Sequence, residues 1–69
     1  MNKITIHAKY KIDDIVNIDT MGTVAKVKVV NVHYQTKTNQ CYYDLEFVNK
    51  VLQEQYQGFE KVREHKLTQ

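Results

Sequence analysis

The chain has 69 residues, one cysteine, no proline or tryptophan, 42% hydrophobic residues and a formal net charge of +2. This length accommodates one domain, residues 1–69, and the composition is that of a folded protein rather than a disordered tail. A lone cysteine excludes a disulfide within the chain and is typical of a reducing cytoplasm, and no apolar run approaches the roughly 18 residues that a membrane span needs. We therefore expect a cytoplasmic domain with no leader peptide and no membrane segment.

Alternating apolar and polar residues dominate the first two-thirds of the chain, which is typical of β-strands. One phase contains Ile4, Ile6, Ala8 and Tyr10, and the next contains Ile12, Val16 and Ile18. The stretch from Asp19 to Gly22 predicts a turn, because Gly22 can adopt a positive φ. Asp13, Asp14 and Asp19 are interpreted as turn residues.

The next strand changes phase in its middle. Ala25, Val27 and Val29 share one face, after which Val30, Val32 and Tyr34 form the apolar set. Such a slip would move the apolar side chains to the opposite face of the sheet, so we predict a β-bulge at Val29–Val30 that bends the strand.

A polar hairpin loop, Gln35 to Gln40, leads into a strand with Cys41, Tyr43, Leu45 and Phe47 inward and Tyr42, Asp44 and Glu46 outward. Pairing Tyr34 with Cys41 places Val32 opposite Tyr43 and Val30 opposite Leu45. Beyond the bulge, Val29 also meets Leu45, Val27 meets Phe47, and Lys28 faces Glu46. Both apolar faces match in this single register, and opposite charges fall together.

The last third allows two interpretations. Leu52, Tyr56, Phe59 and Val62 have helical spacing, but Gly58 would weaken a helix at its centre. The alternative, which we favour, is a loop through Gln57, a strand around Phe59–Arg63 and a turn ending at Leu67. The polar segment Asn49–Gln57 can include a short helix.

These features together resemble the small SH3-like barrel proteins encoded by bacteriophages and other mobile elements. The resemblance covers residues 9 to 67 and includes Tyr10–Val16, Gly22–Val24, Tyr42–Phe47 and Val62–Leu67. Asp13 stands where the family usually has glycine. The resemblance implies a mostly β fold, a five-stranded SH3-like barrel with a bent second strand, and an origin in a phage or mobile element. It assigns no functional residues.

No catalytic, cofactor or metal site is predicted. His7, His33 and His65 are far apart in sequence and are interpreted as surface residues, and Cys41 as a small buried hydrophobe. Tyr34 and Tyr43 are expected in the core. We therefore expect a protein that binds without being an enzyme.

The candidate interface residues are Tyr10, Lys26, Lys28, Tyr42, Asp44 and Glu46. Exposed tyrosine is enriched at protein interfaces, so we expect a protein-interaction module that binds a host or phage protein and can inhibit it. Self-association through an open barrel edge is a further expectation. The alternative is nucleic-acid binding, with Lys9, Lys11, Lys26 and Lys28 on phosphates and Tyr42 stacking on bases. The low net charge and the single arginine, Arg63, count against that alternative.

Overall fold

A computed structural model describes residues 8–20 and 22–69. Five antiparallel strands form one sheet in the order β4-β3-β2-β1-β5. They are β1 (Ile15–Thr20), β2 (Thr23–Gln35), β3 (Gln40–Phe47), β4 (Phe59–Arg63) and β5 (Leu67–Thr68). Helix α1 (Lys50–Tyr56) connects β3 to β4, and a 3₁₀ turn (Glu64–Lys66) connects β4 to β5. The expected fold class, a small five-stranded, mostly β domain with a short helix in its last third, is confirmed.

The register predicted for the central hairpin is confirmed, except that Val30, expected opposite Leu45 together with Val29, is the extra residue of the bulge and has no register partner on β3. Tyr34 lies opposite Cys41, Val29 opposite Leu45 and Lys28 opposite Glu46, with a register shift between Val29 and Asn31. The shift is the expected bulge. Because of it, the apolar residues before the bulge and those after it lie on the same side of the sheet, facing the core. The first half of β2 pairs with β1 and the second half with β3, so the strand serves two partners.

The turn before β1 is built on aspartate. Lys11 N donates to Asp14 Oδ2 and Asp14 N donates to the Lys11 carbonyl, at 3.0 Å each. Asp13 has a φ of 78°, so it adopts the left-handed conformation for which glycine is the usual choice. Asp13 N then donates to the Val29 carbonyl, which ties this turn to the bulge of β2. The interpretation of Asp13 and Asp14 as turn residues is confirmed, whereas Asp19 lies within β1 opposite Val24.

One apolar core joins the strands. Its buried members come from the segment before β1, from β1, β2, β3 and from β5: Tyr10, Val16, Ile18, Val27, Val29, Cys41, Tyr43, Leu45 and Leu67. Burial of Cys41 and Tyr43 is therefore confirmed. Ile4, Ile6 and His7 lie outside the described residues.

Two residues expected on the apolar face are exposed. Tyr34 is 58% exposed, because β1 reaches only Lys28 and β4 only Tyr42, so neither strand covers the far end of the β2–β3 hairpin. Ile12 is 54% exposed, because it lies in the Lys11–Asp14 turn rather than in a strand.

The last third contains both a helix and a strand. Asn49 caps α1, its Oδ1 accepting from Val51 N at 2.9 Å and from Leu52 N at 3.3 Å. The helix ends at Gln57, which is left-handed with a φ of 60°, so a helix continuing to Val62 is wrong. The favoured strand from Phe59 to Arg63 is confirmed as β4. Among the described helices, none combines the length and apolarity needed to cross a membrane.

Candidate functional site

Five of the six predicted interface residues share one surface. We call this surface the outer face: the side of the sheet opposite the core, where paired residues point to solvent. Lys28 lies opposite Glu46, and Asp44 and Tyr42 follow Glu46 at alternate positions of β3. Lys26 lies opposite Asn17 of β1. Because alternate residues of a strand share a face, the outer face brings Lys26, Lys28, Tyr42, Asp44 and Glu46 together.

Tyr10 does not belong to this surface. It is only 2% exposed, so it is not the exposed interface tyrosine that the sequence predicts at this position. The turn at Lys11–Asp14 directs its ring inward against Tyr43, in an edge-to-face contact with ring centroids 5.6 Å apart. Lys9 Nζ lies 5.6 Å from the centroid of the Tyr10 ring. The nucleic-acid hypothesis assigned several lysines to phosphates. Of these, Lys9 contacts an aromatic ring of its own chain, whereas Lys26 and Lys28 lie on the outer face.

A hydrogen-bond network fixes Tyr10 within the core. Its hydroxyl donates to the Leu67 carbonyl and its amide donates to the Tyr43 hydroxyl, both at 3.2 Å. The Tyr43 hydroxyl donates to Glu64 Oε2, which also accepts from Lys9 N. Burial, followed by the bond to Glu64, raises the pKa of Tyr43. This arrangement joins the segment before β1 to β3, to the 3₁₀ turn and to β5.

Cys41 lies beside this network and is buried. Burial, and secondarily the charge of Glu64, raise the pKa of its thiol, which opposes formation of a nucleophilic thiolate. The interpretation of Cys41 as a small core residue is confirmed.

The first candidate binding feature is a groove between α1 and the sheet, which we call the helix groove. It has a volume of about 410 Å³ and is lined by Ile15, Lys28, Glu46, Phe47, Val48, Lys50, Gln53 and Glu54. Ile15 and Val48 are each 49% exposed. The Gln53 side chain accepts from Phe47 N at 2.8 Å, which holds α1 against the end of β3. Two predicted interface residues, Lys28 and Glu46, therefore line a groove with apolar walls.

The second feature, which we call the tyrosine groove, lies toward the far end of the β2–β3 hairpin. It has a volume of about 320 Å³ and is lined by His33, Tyr34, Gln35, Tyr42 and Lys61. Tyr42 lies opposite His33 on one side and opposite Arg63 on the other. An aromatic side chain is thus placed between two basic side chains on neighbouring strands.

The Asp44 carboxylate holds two residues that line the tyrosine groove, His33 and Lys61. Its Oδ2 accepts from His33 Nε2 at 2.7 Å, and its Oδ1 accepts from the Lys61 amide at 2.9 Å. Partial burial raises the pKa of the Asp44 carboxyl, but the hydrogen bonds from His33, the Lys61 amide and Asn31 outweigh it, so the pKa lies below its usual value. Lys61 has a φ of 51°, so this hydrogen bond holds a residue in a sparsely populated conformation.

A third cavity follows β4, at one edge of the sheet. It measures about 460 Å³ and is lined by Ile18, Asp19, Thr20, His65, Lys66 and the five residues of β4. Within β4, Glu60 and Lys61 together lie opposite Asp44, because the register shifts between Tyr43 and Leu45. Bulges and charged side chains are devices that prevent an edge strand from pairing with another chain. The geometry of β4 therefore does not favour self-association through this edge.

Part of the tyrosine groove could be predicted from the sequence. The predicted register placed His33 opposite Tyr42 and Asn31 opposite Asp44, as observed. The contribution of β4 was missed, since its bulge and the positive φ of Lys61 have no sequence signal comparable to a glycine. Within residues 8–20 and 22–69, no group of three or more His, Cys, Asp or Glu side chains is placed to hold a metal ion.

His33 and Asp44 form an ion pair when the imidazole is protonated, and other ion pairs within 4 Å are absent from the described part of the chain. Lys28 and Glu46 therefore face each other without closing a salt bridge, and both charges remain available in the helix groove. Comparison with protein-family models, with curated proteins and with solved structures finds no match to this chain.

Proposed function

We propose that this chain is a non-enzymatic protein-interaction module and that its partner binds in the helix groove. The observation that carries the proposal is the pair of half-exposed aliphatic side chains, Ile15 and Val48, lining one groove together with Lys28 and Glu46. Protein interfaces typically combine an apolar centre with a polar rim. The groove has this composition, and its volume is within the range of natural binding sites.

The aliphatic side chains provide the favourable free energy in this proposal. Completely burying a Val or Ile side chain contributes about 1.5–3 kcal/mol, so covering the exposed half of Ile15 and of Val48 contributes about 1 kcal/mol each. Val51 of α1 is 69% exposed and can extend the contact along the helix. These terms are modest, so the partner also needs polar contacts.

The charges around the groove supply specificity. Lys28 and Glu46 of the sheet and Lys50 and Glu54 of α1 all line it. Charges of both signs set the orientation of a partner more than the affinity. We therefore expect a partner segment with one or two apolar side chains flanked by an acidic and a basic residue.

The resemblance to barrel proteins of mobile elements supports a biological setting for the proposal. The chain would act in the cytoplasm as an accessory protein of a phage or mobile element, and would bind a host or phage protein and inhibit it. Binding in the helix groove would leave β4 uninvolved, in keeping with the bulge and charges of that edge.

Site-specific photo-crosslinking in the native host cell tests this proposal. A benzophenone amino acid at Glu54, which is exposed and lines the helix groove, probes this site and leaves the Gln53–Phe47 hydrogen bond intact. The same amino acid at Val24 is the matched control, because Val24 is 65% exposed and lies outside the groove. We expect the Glu54 probe to form one discrete adduct with a different protein, and Ile15→Ser, but not Val24→Ser, to abolish it.

Three outcomes would overturn the proposal. These are equal adducts from both probe positions, an adduct that survives Ile15→Ser, and an adduct composed of two copies of this chain. The last outcome would assign the helix groove to self-association instead.

A further inference from the structure

We infer that the tyrosine groove is a second binding site, whose ligand is single-stranded nucleic acid bound without sequence preference. The site is distinct from the helix groove and does not depend on the function proposed for that groove. It combines an outward aromatic side chain, Tyr42, with basic side chains from two strands. Proteins that bind single strands commonly use this combination, with the aromatic ring stacking on a base and the cations contacting phosphates.

The cations are positioned by the backbone. Arg63 is the register partner of Tyr42 across β3 and β4, and His33 is its partner across β2 and β3. Directly opposed residues of antiparallel strands have Cβ atoms about 4.5–5.5 Å apart, so the three side chains form one continuous row. Lys61 lines the tyrosine groove itself, whereas Arg63 lies beside it as the cross-strand partner of Tyr42 and lines the third cavity, so two permanent positive charges flank the site.

Asp44, which lies on the outer face between Tyr42 and Glu46, does not oppose this assignment. The Asp44 side chain is only 20% exposed, and its two oxygens accept hydrogen bonds from His33 and from the Lys61 amide. Both carboxylate oxygens are therefore engaged within the protein, where they hold the His33 ring and the Lys61 backbone. Glu46 lies two residues further along β3, opposite Lys28 and in the helix groove.

The same features select the ligand class. An acidic peptide would be attracted by Lys61 and Arg63 but would gain little from an aromatic side chain, whereas every nucleobase presents a face on which Tyr42 can stack. Arg63 is the only arginine of the chain, so bidentate arginine contacts to successive guanines are excluded, and we expect binding to tolerate any sequence.

Fluorescence anisotropy of the intact chain with a labelled oligothymidylate of about eight nucleotides tests the inference, at a salt concentration of about 20 mM. An abasic oligomer of equal length and charge, and an oligoglutamate peptide, are the comparison ligands. We expect the oligothymidylate to bind at least about fivefold more tightly than the abasic oligomer, since stacking of one base contributes about 1 kcal/mol or more.

Four variants separate the contributions of ring and charge. Tyr42→Ala should weaken binding at least about fivefold, and Tyr42→Phe, which keeps the ring, less than about twofold. Lys61→Gly suits the positive φ and keeps the amide that Asp44 holds, so the fold is retained while one cation is lost. Its plot of log affinity against log salt should be shallower by about 0.7. Lys50→Gln removes the same charge in the helix groove and should leave the affinity within about twofold.

The inference is overturned if the oligothymidylate does not bind, or if it and the abasic oligomer bind equally. It is also overturned if Tyr42→Ala, shown by circular dichroism to be folded, retains full affinity. Oligoglutamate bound as tightly as oligothymidylate would reduce the groove to a general anion site and reject the assignment. The photo-crosslinking result at Glu54 is unaffected by each of these outcomes, because that position lies in the other groove.

Discussion

Replacing each of the two glycines by alanine separates two costs of that substitution, namely the strain of a positive φ and the steric clash of the added Cβ. Gly22 and Gly58 both have a positive φ, 80° and 76° respectively. A Cβ built on Gly58 would lie 2.1 Å from the Leu45 carbonyl oxygen and 3.2 Å from the Cα of Glu46. For a Cβ on Gly22, the described part of the chain places no atom within 4 Å. Gly22→Ala therefore measures the conformational cost alone, and Gly58→Ala adds a steric clash with the backbone of β3.

The expected magnitudes follow from these contacts. An alanine in the left-handed conformation lowers the free energy of unfolding by about 1–2 kcal/mol. Alanine also restricts the unfolded chain more than glycine does, which offsets about 0.4–1 kcal/mol of that loss. We expect Gly22→Ala to lower the free energy of unfolding by about 1 kcal/mol. Gly58→Ala must also displace β3 or β4, and overpacking adds about 1–3 kcal/mol, giving a total of about 2–4 kcal/mol. A domain of this size has a total stability of only about 0.05–0.15 kcal/mol per residue.

Urea unfolding followed by far-ultraviolet circular dichroism measures both losses. If Gly58→Ala is unfolded in buffer, an excluded osmolyte such as trimethylamine oxide, added equally to all three proteins, restores a measurable transition. Equal losses for the two variants would refute the reasoning, since they would show that β3 and β4 do not approach each other at Gly58 as closely as described.

Three further predictions concern polar groups. Tyr43→Phe removes the hydroxyl that donates to Glu64 and should lower the free energy of unfolding by about 1.5–3 kcal/mol, whereas Tyr34→Phe, at an exposed position, should change it by less than about 0.5 kcal/mol. Cys41 should react with Ellman's reagent much more slowly in the native protein than in urea, because burial and Glu64 raise its pKa. Asp44 has a lowered pKa in the folded protein, so it stabilises the fold above the unfolded carboxyl value of about 3.9, and this contribution is lost as pH falls through the folded value. The stability difference between the parent chain and Asp44→Asn, measured by urea unfolding, should therefore be largest near neutral pH and shrink below about pH 4.

For each of these three predictions, one experimental result would contradict the reasoning behind it. Equal effects of the two phenylalanine substitutions would show that the Tyr43–Glu64 bond does not stabilise the fold. Rapid labelling of Cys41 under native conditions would show that the core opens easily around β3. A stability difference for Asp44→Asn that does not change with pH would show that the carboxylate charge is not what holds His33 and the Lys61 amide.

The central hairpin was predictable because two independent patterns had to agree. The phase flip at Val29–Val30 required an extra residue, and the strict alternation of β3 allowed one register that matched both halves of β2. A sequence pattern of this kind is local to two strands. It is therefore sufficient to place Lys28 opposite Glu46 and Tyr42 opposite His33.

The remaining features depend on contacts between distant segments. Tyr10 follows the same alternation as a strand residue, and only the turn at Asp13 and Asp14 directs it into the core. Tyr34 continues an apolar phase, but its exposure depends on where β1 and β4 end. The positive φ of Lys61 depends on an acceptor in β3, Asp44, which no pattern within β4 reveals.

The bond between the Tyr10 hydroxyl and the Leu67 carbonyl joins residues 57 positions apart. Bringing such distant residues together costs loop entropy before any contact compensates for it, so folds with this topology form more slowly than local hairpins. During synthesis, Tyr10 leaves the ribosome long before its acceptor exists. The side of the core that Tyr10 covers stays open to water until Leu67 has emerged. The time that the ribosome needs to translate this stretch therefore sets a lower limit on how soon the domain reaches its closed form.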